Sequence, residues 1–153
     1  MGYDAIAPIF FKGLSNVTAV PDVQLGTRRV ENGEEYVYCY NNTGSQVTAG
    51  ALMTTSGLSG FSFTRSTTAG TDVPMVAVKH VAVPAAEYFW GLTRGSLRVL
   101  SATISAGNCI QVGADGAATS APGGSFSTGA IIGKMLEAAS GSTQSLAYVR
   151  LFG

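Results

Sequence analysis

Apolar residues in this chain fall in short runs broken by Gly, Pro, Asn, Ser and Thr, and within those runs the repeat is two residues, not three or four. A period of two is the signature of a strand, whose side chains point alternately to opposite faces, so an all-β fold is expected. The clearest run, residues 35–40 (Glu-Tyr-Val-Tyr-Cys-Tyr), is entered through Glu31-Asn32-Gly33-Glu34. An Asn-Gly pair adopts the positive φ angles that a tight hairpin turn demands, which predicts a hairpin at this point. Tyr36, Tyr38 and Tyr40 share one face and Val37 and Cys39 the other, so this strand is expected to be covered on both sides.

Further strand-like runs occupy residues 51–54, 75–83, 88–92, 96–100 and 109–112. Residues 55–71 and 113–129 are rich in small, turn-forming side chains and read as loops, although Phe61 and Phe63 alternate inside the first. Residues 130–139 are the one stretch with helical reach. There Ile131-Ile132 and Gly133 disfavour helix, and Ser140-Gly141-Ser142-Thr143 supplies a turn, so a terminal hairpin is expected instead. In its last strand Ala147, Val149 and Leu151 alternate with Leu146, Tyr148, Arg150 and Phe152, which predicts apolar groups on both faces and no solvent face. Two phrases echo each other, Val47-Thr48-Ala49-Gly50-Ala51-Leu52 and Ile104-Ser105-Ala106-Gly107-Asn108-Cys109-Ile110, each a β-corner turning at its glycine. Together these features predict a compact β-barrel or β-sandwich over residues 26–153, a single domain within the ordinary size range.

Residues 1–25 differ. Pro8, Gly13 and Pro21 prevent regular pairing, and Ile9-Phe10-Phe11 stands without amphipathic period, so this segment reads as an extended N-terminal arm. Burial of each of those three side chains is worth roughly 1.5 to 3 kcal/mol, so they are expected to dock on their own domain or on a partner.

Charge narrows the function. Only 12% of residues are charged, and nine basic residues balance nine acidic ones. No net field concentrates nucleic acid or holds an anionic membrane, and neither is an expected partner. No run approaches the ~18 apolar residues of a spanning helix, and the N-terminus lacks the basic opening of a secretory signal, so synthesis in the cytoplasm is expected. Cys39 and Cys109 sit in separate apolar runs and are expected to be reduced and buried.

Catalytic chemistry is poorly supplied. The single histidine, His80, lies in an apolar run with no positioned serine or G-x-S-x-G elbow, and one His excludes the usual multi-His metal sites. Glu31, Glu34 and Glu35 cluster at the predicted hairpin, where solvated carboxylates are ordinary, and the glycine pairs match no phosphate-binding loop. No catalytic residue, cofactor or metal is expected, and the protein reads as a non-enzyme. Tyr88, Phe89 and Trp90 form an aromatic run that suits a core or subunit anchor, or a surface for stacking a sugar.

The phrases Leu25-Gly26-Thr27-Arg28-Arg29-Val30, Gly33-Glu34-Glu35-Tyr36-Val37-Tyr38, Val47-Thr48-Ala49-Gly50, Ile104-Ser105-Ala106-Gly107, Val112-Gly113-Ala114-Asp115-Gly116-Ala117-Ala118-Thr119 and Ala130-Ile131-Ile132-Gly133-Lys134-Met135-Leu136-Glu137-Ala138 resemble the capsid decoration, or cement, proteins of tailed bacteriophages. The likeness covers roughly residues 25–153 and consists of turn and strand phrases. Asn108-Cys109-Ile110 departs from the acidic and aliphatic pair more usual after the Ala-Gly. The resemblance implies a structural virion protein on the outer surface of an icosahedral shell, a homotrimer that clamps the major capsid protein lattice. Within that reading Ile9, Phe10 and Phe11 are the candidate capsid-binding arm, and Tyr88, Phe89, Trp90, Tyr148, Arg150 and Phe152 the candidate oligomer or core anchors. The alternative is a carbohydrate-binding or fibre-base virion module.

Overall fold

The computed structural model describes residues 13–56, 60–66, 75–121, 131–141 and 143–151; Ile9, Phe10, Phe11 and Phe152 lie outside them. The fold is all-β: the described residues form one mixed sheet of ten strands and contain no α-helix. In chain order the strands are β1 (Arg28–Glu31), β2 (Glu34–Asn41), β3 (Leu52–Thr55), β4 (Ser62–Arg65), β5 (Val76–Ala77), β6 (Tyr88–Ser101), β7 (Cys109–Val112), β8 (Ala118–Ser120), β9 (Gly133–Met135) and β10 (Thr143–Arg150).

The predicted hairpin joins β1 to β2, with Asn32 and Gly33 at φ 53° and 78°. Both faces of β2 are indeed covered. Tyr36 and Tyr38 enter one hydrophobic cluster, whereas Val37 and Cys39 enter a second with Met53, Phe63, Val76 and Phe89. The terminal hairpin also forms, β9 pairing antiparallel with β10.

β6 organises the sheet. The sequence suggests two runs, 88–92 and 96–100, yet they are one fourteen-residue strand that passes through Gly95. Its first half pairs with β2, from Tyr40↔Tyr88 to Glu35↔Arg94, and its second half with β10, from Arg150↔Arg94 to Thr143↔Ser101. The exchange of partners falls at a register shift beside Glu35 and Tyr36, where Thr93 is the extra residue. Thr93 Oγ1 donates to Glu35 O at 3.1 Å, and Thr93 O accepts the Leu151 N–H at 2.7 Å, so the irregularity leaves these groups satisfied. Strand order β2-β4-β3-β5-β6 returns to β2 through the β2–β6 pairing, and β6-β10-β9-β7-β8 returns to β6 through Ser101↔Ala118. The sheet therefore closes twice, and each half of β6 completes one ring of strands. Closure consumes sheet edges that would otherwise expose unpaired N–H and C=O groups.

Among the described residues, the two echoed phrases are two of four copies of one corner. In each, the third residue of a turn adopts positive φ: Gly26 (85°), Gly50 (88°), Ala86 (58°) and Gly107 (85°). Each such residue donates its N–H to a carbonyl of a neighbouring segment, on Tyr38, Val78, Asn41 and Met135 respectively, at 2.7–3.1 Å. That same partner returns its N–H to the carbonyl of the residue after the turn, Thr27, Ala51, Glu87 or Asn108. A turn with positive φ at its third position favours glycine, and only the Ala86 copy lacks one.

Several expectations change. The loop over residues 55–71 contains β4, with Phe63 buried against β3, and the loop over 113–129 contains β8, because each segment pairs antiparallel with the strand just before it, β3 and β7. The run at residues 75–83 is strand only at Val76–Ala77 and then bends, and Val83 rejoins through a bridge to Val47. β10 has a solvent face after all: Ser145, Ala147 and Val149 are buried while Gln144, Tyr148 and Arg150 are exposed, because only one side of β10 faces the interior. Cys109 is exposed, since it lies on the outward side of β7, whereas Cys39 is buried.

Residues 13–25 lie along the domain. Thr18 bridges Tyr88, Leu14 and Val23 pack against the first cluster, and Val17 packs against the second.

Candidate functional site

Two polar constellations stand out against this low-charge background, one half-buried and one on the surface. The half-buried one is built on Glu34, the first residue of β2. Glu34 Oε2 accepts the Tyr36 hydroxyl at 2.6 Å and pairs with Lys79, while Oε1 accepts the Ser96 N–H at 3.0 Å. Gly95 makes room for it: at φ 145°, a Cβ there would lie 2.8 Å from Glu34 Cγ. Tyr36 and His80 stack with ring centroids 5.8 Å apart.

Burial pushes the Glu34 carboxyl up, but Lys79, Tyr36 and Ser96 together hold it below the usual carboxylate range. Burial and the Glu34 anion push the Tyr36 phenol well above its ordinary value. Partial burial and the Lys79 cation lower His80, against the opposite pull of Glu34 and Glu31, so the imidazole is neutral at pH 7. A carboxylate committed to three donors is a weak proton acceptor, and a phenol locked to it is a weak donor. The cluster ties the start of β2 to Lys79, beyond β5, and to the middle of β6, which is the work of a brace.

The surface constellation lies on the outward side of β6, β10, β9 and β7. Register places Ser96, Tyr148, Lys134 and Cys109 in one row across four strands, with Arg94 and Arg150 opposite each other in the next row. Arg94 donates from Nε to the Tyr148 hydroxyl at 3.0 Å and from Nη1 to Glu35 Oε1 at 3.1 Å. Arg98 pairs with Glu137 at 3.3 Å. Arg150 and Lys134 form no ion pair among the described residues. Between them is a groove of about 570 Å³, walled by Ile131, Ile132 and Leu151 and edged by Lys134, Tyr148 and Arg150.

The anchors suggested by sequence thus divide. Phe89 and Trp90 are 2% and 5% exposed and point into different clusters, and Tyr88 is half-buried beside Tyr38 and Tyr40. Trp90 packs on Tyr38 at 5.1 Å, with the Arg29 guanidinium 5.8 Å from its ring. Tyr148 is 40% exposed and adjoins Arg150 on the outer face. Lys134 and Arg94 carry no sequence signal for this role, because they join Tyr148 and Arg150 only through the β9–β10–β6 register. Among the described residues, no three His, Cys, Asp or Glu side chains gather as metal ligands.

The fold and these two constellations define a small all-β domain with a braced interior and one cationic, aromatic outer face. No protein-family profile and no curated protein sequence matches the chain. Among solved structures, it is similar in fold to the crystal structure of the head fiber gp8.5 N base of bacteriophage phi29. That likeness has a TM-score of 0.57 at 19% identity and covers 74% of this chain and 93% of that one.

Proposed function

We propose that this chain is a structural virion module of a tailed bacteriophage that attaches to the outside of the icosahedral head. The observation that carries the reading is the fold likeness to a head fibre base, which spans nearly all of that base. The resemblance of the sequence phrases to capsid decoration proteins suggests the same location. Of the two virion roles, the fibre-base reading is the better supported, and cementing of the lattice is the finer proposal beside it. The partner is the major capsid protein, and a trimer suits a module on such a shell. A module that binds only the assembled lattice stabilises it by mass action, with no chemistry required. Burial of Trp90 in the core removes that side chain as a stacking platform for a sugar, so the glycan reading rests on the half-buried Tyr88 and the Ser-, Thr- and Gly-rich loops.

Addition of the purified chain to phage heads assembled without it tests the reading. Stoichiometric occupancy of the outer surface by cryo-electron microscopy is expected, with a raised melting temperature if the module also cements. Bare heads at saturating protein refute it. Ile9, Phe10 and Phe11 remain the proposed arm. Removal of residues 1–12 spares the contacts of Leu14, Val17 and Thr18, so the truncated chain is expected to fold yet lose occupancy.

A further inference from the structure

We propose that the outer face centred on Tyr148 and flanked by Lys134 and Arg150 is a docking surface for a carboxylate-rich protein surface. Identifying that surface with the phage shell rests on the proposed function; its chemistry rests on charge. The whole chain is neutral, yet among the described residues this face carries Arg94, Arg98, Lys134 and Arg150 against Glu35 and Glu137. Arg94 and Arg150 are direct cross-strand partners, an arrangement that like charges disfavour. Glu35 neutralises the first and Glu137 neutralises Arg98, which, among the described residues, leaves Arg150 and Lys134 uncompensated on the two sides of Tyr148. An incoming carboxylate relieves that repulsion, and complementary potential of this kind steers and orients docking.

The groove between the cations favours protein over nucleic acid. Its walls are the aliphatic Ile131, Ile132 and Leu151, and its rim presents a 40% exposed tyrosine beside arginine, the composition of an interface anchor. A phosphate backbone is held by many cations along its track, whereas here two of the four are already matched by carboxylates.

Two measurements on the full chain test the inference. Titration of the isotope-labelled protein with poly-L-glutamate is expected to shift the resonances of Lys134, Tyr148 and Arg150, with the effect weakening as salt rises. The K134E/R150E variant and the milder K134Q/R150Q variant are expected to lose the response, whereas R28Q, on the exposed side of β1, retains it. On heads assembled without the chain, K134E/R150E is expected to bind at least about tenfold more weakly than wild type. Equal occupancy by wild type and both double variants overturns the inference while leaving attachment intact. If wild type occupies no shell, the proposed function fails and the titration alone decides the docking face. No shift with poly-L-glutamate, or a stronger one at these residues with duplex DNA, overturns it outright.

Discussion

Replacement of Glu34 by Gln tests whether the half-buried cluster braces β2 against the rest of the sheet. The carboxylate serves the Tyr36 hydroxyl, the Ser96 N–H and Lys79 at once. The amide keeps one acceptor oxygen, loses the charge that strengthens all three contacts, and turns an NH2 donor toward a donor. Charge-assisted bonds are worth about 1.5–3 kcal/mol against about 1 for neutral ones, so a loss of about 2–3 kcal/mol is expected. With a urea dependence of about 1–3 kcal/mol per molar, the unfolding midpoint should fall by about 1 M at pH 7. Acid supplies the second arm of the test. The folded-state pKa of Glu34 lies below its unfolded value, so its contribution is complete above that unfolded value and is lost as pH falls through the folded one. The gap between wild type and variant should therefore narrow from about pH 6 to about pH 3. A midpoint unchanged at pH 7, or a gap constant across that range, refutes the brace.

Three further outcomes follow from packing. Trp90→Ala should lower stability by about 3–5 kcal/mol, as a large buried side chain does when truncated; loss of oligomers by light scattering with an unchanged unfolding midpoint would assign Trp90 to a subunit contact instead. Ala86→Gly should raise stability by up to about 1 kcal/mol in a thermal melt, because Ala86 holds φ 58° where the three sister corners have glycine; a lower melting temperature would show that the corner carries no strain. Cys109 should react at once with a water-soluble disulfide reagent, whereas Cys39, buried and with its thiol pushed up by burial, should react only on unfolding; two fast thiols would contradict the placement of β2.

Local chemistry made part of the fold legible. Asn32-Gly33 announced the first hairpin, alternating Tyr and Val/Cys announced a strand buried on both faces, and Ile131-Ile132-Gly133 spoke for a strand at the terminal hairpin. The glycine corners were half visible: Gly50 and Gly107 sit in matching phrases, but the Gly26 and Ala86 copies differ in their flanking residues and are recognised by their positive φ and backbone hydrogen bonds. β4 and β8 were hidden because short strands among Ser, Thr and Gly take their stability from partners, not from their own residues. The candidate docking face was hidden more completely. Tyr148 and Arg150 were visible as a pair, but Lys134 and Arg94 reach them only across strand register.

The sequence by itself determined the class of structure, because a two-residue apolar period and frequent turn residues leave a β-sheet as the way to bury these side chains. Its single histidine also leaves this sequence without the ligands of a multi-histidine metal site. Tertiary structure alone decided that residues 88–101 form one strand serving two rings, and that β10 keeps a solvent face. The physical reason is that a strand's partners and the side it turns to water are properties of its neighbours in space. Pairing across β6 sets both, and no local run of residues encodes it.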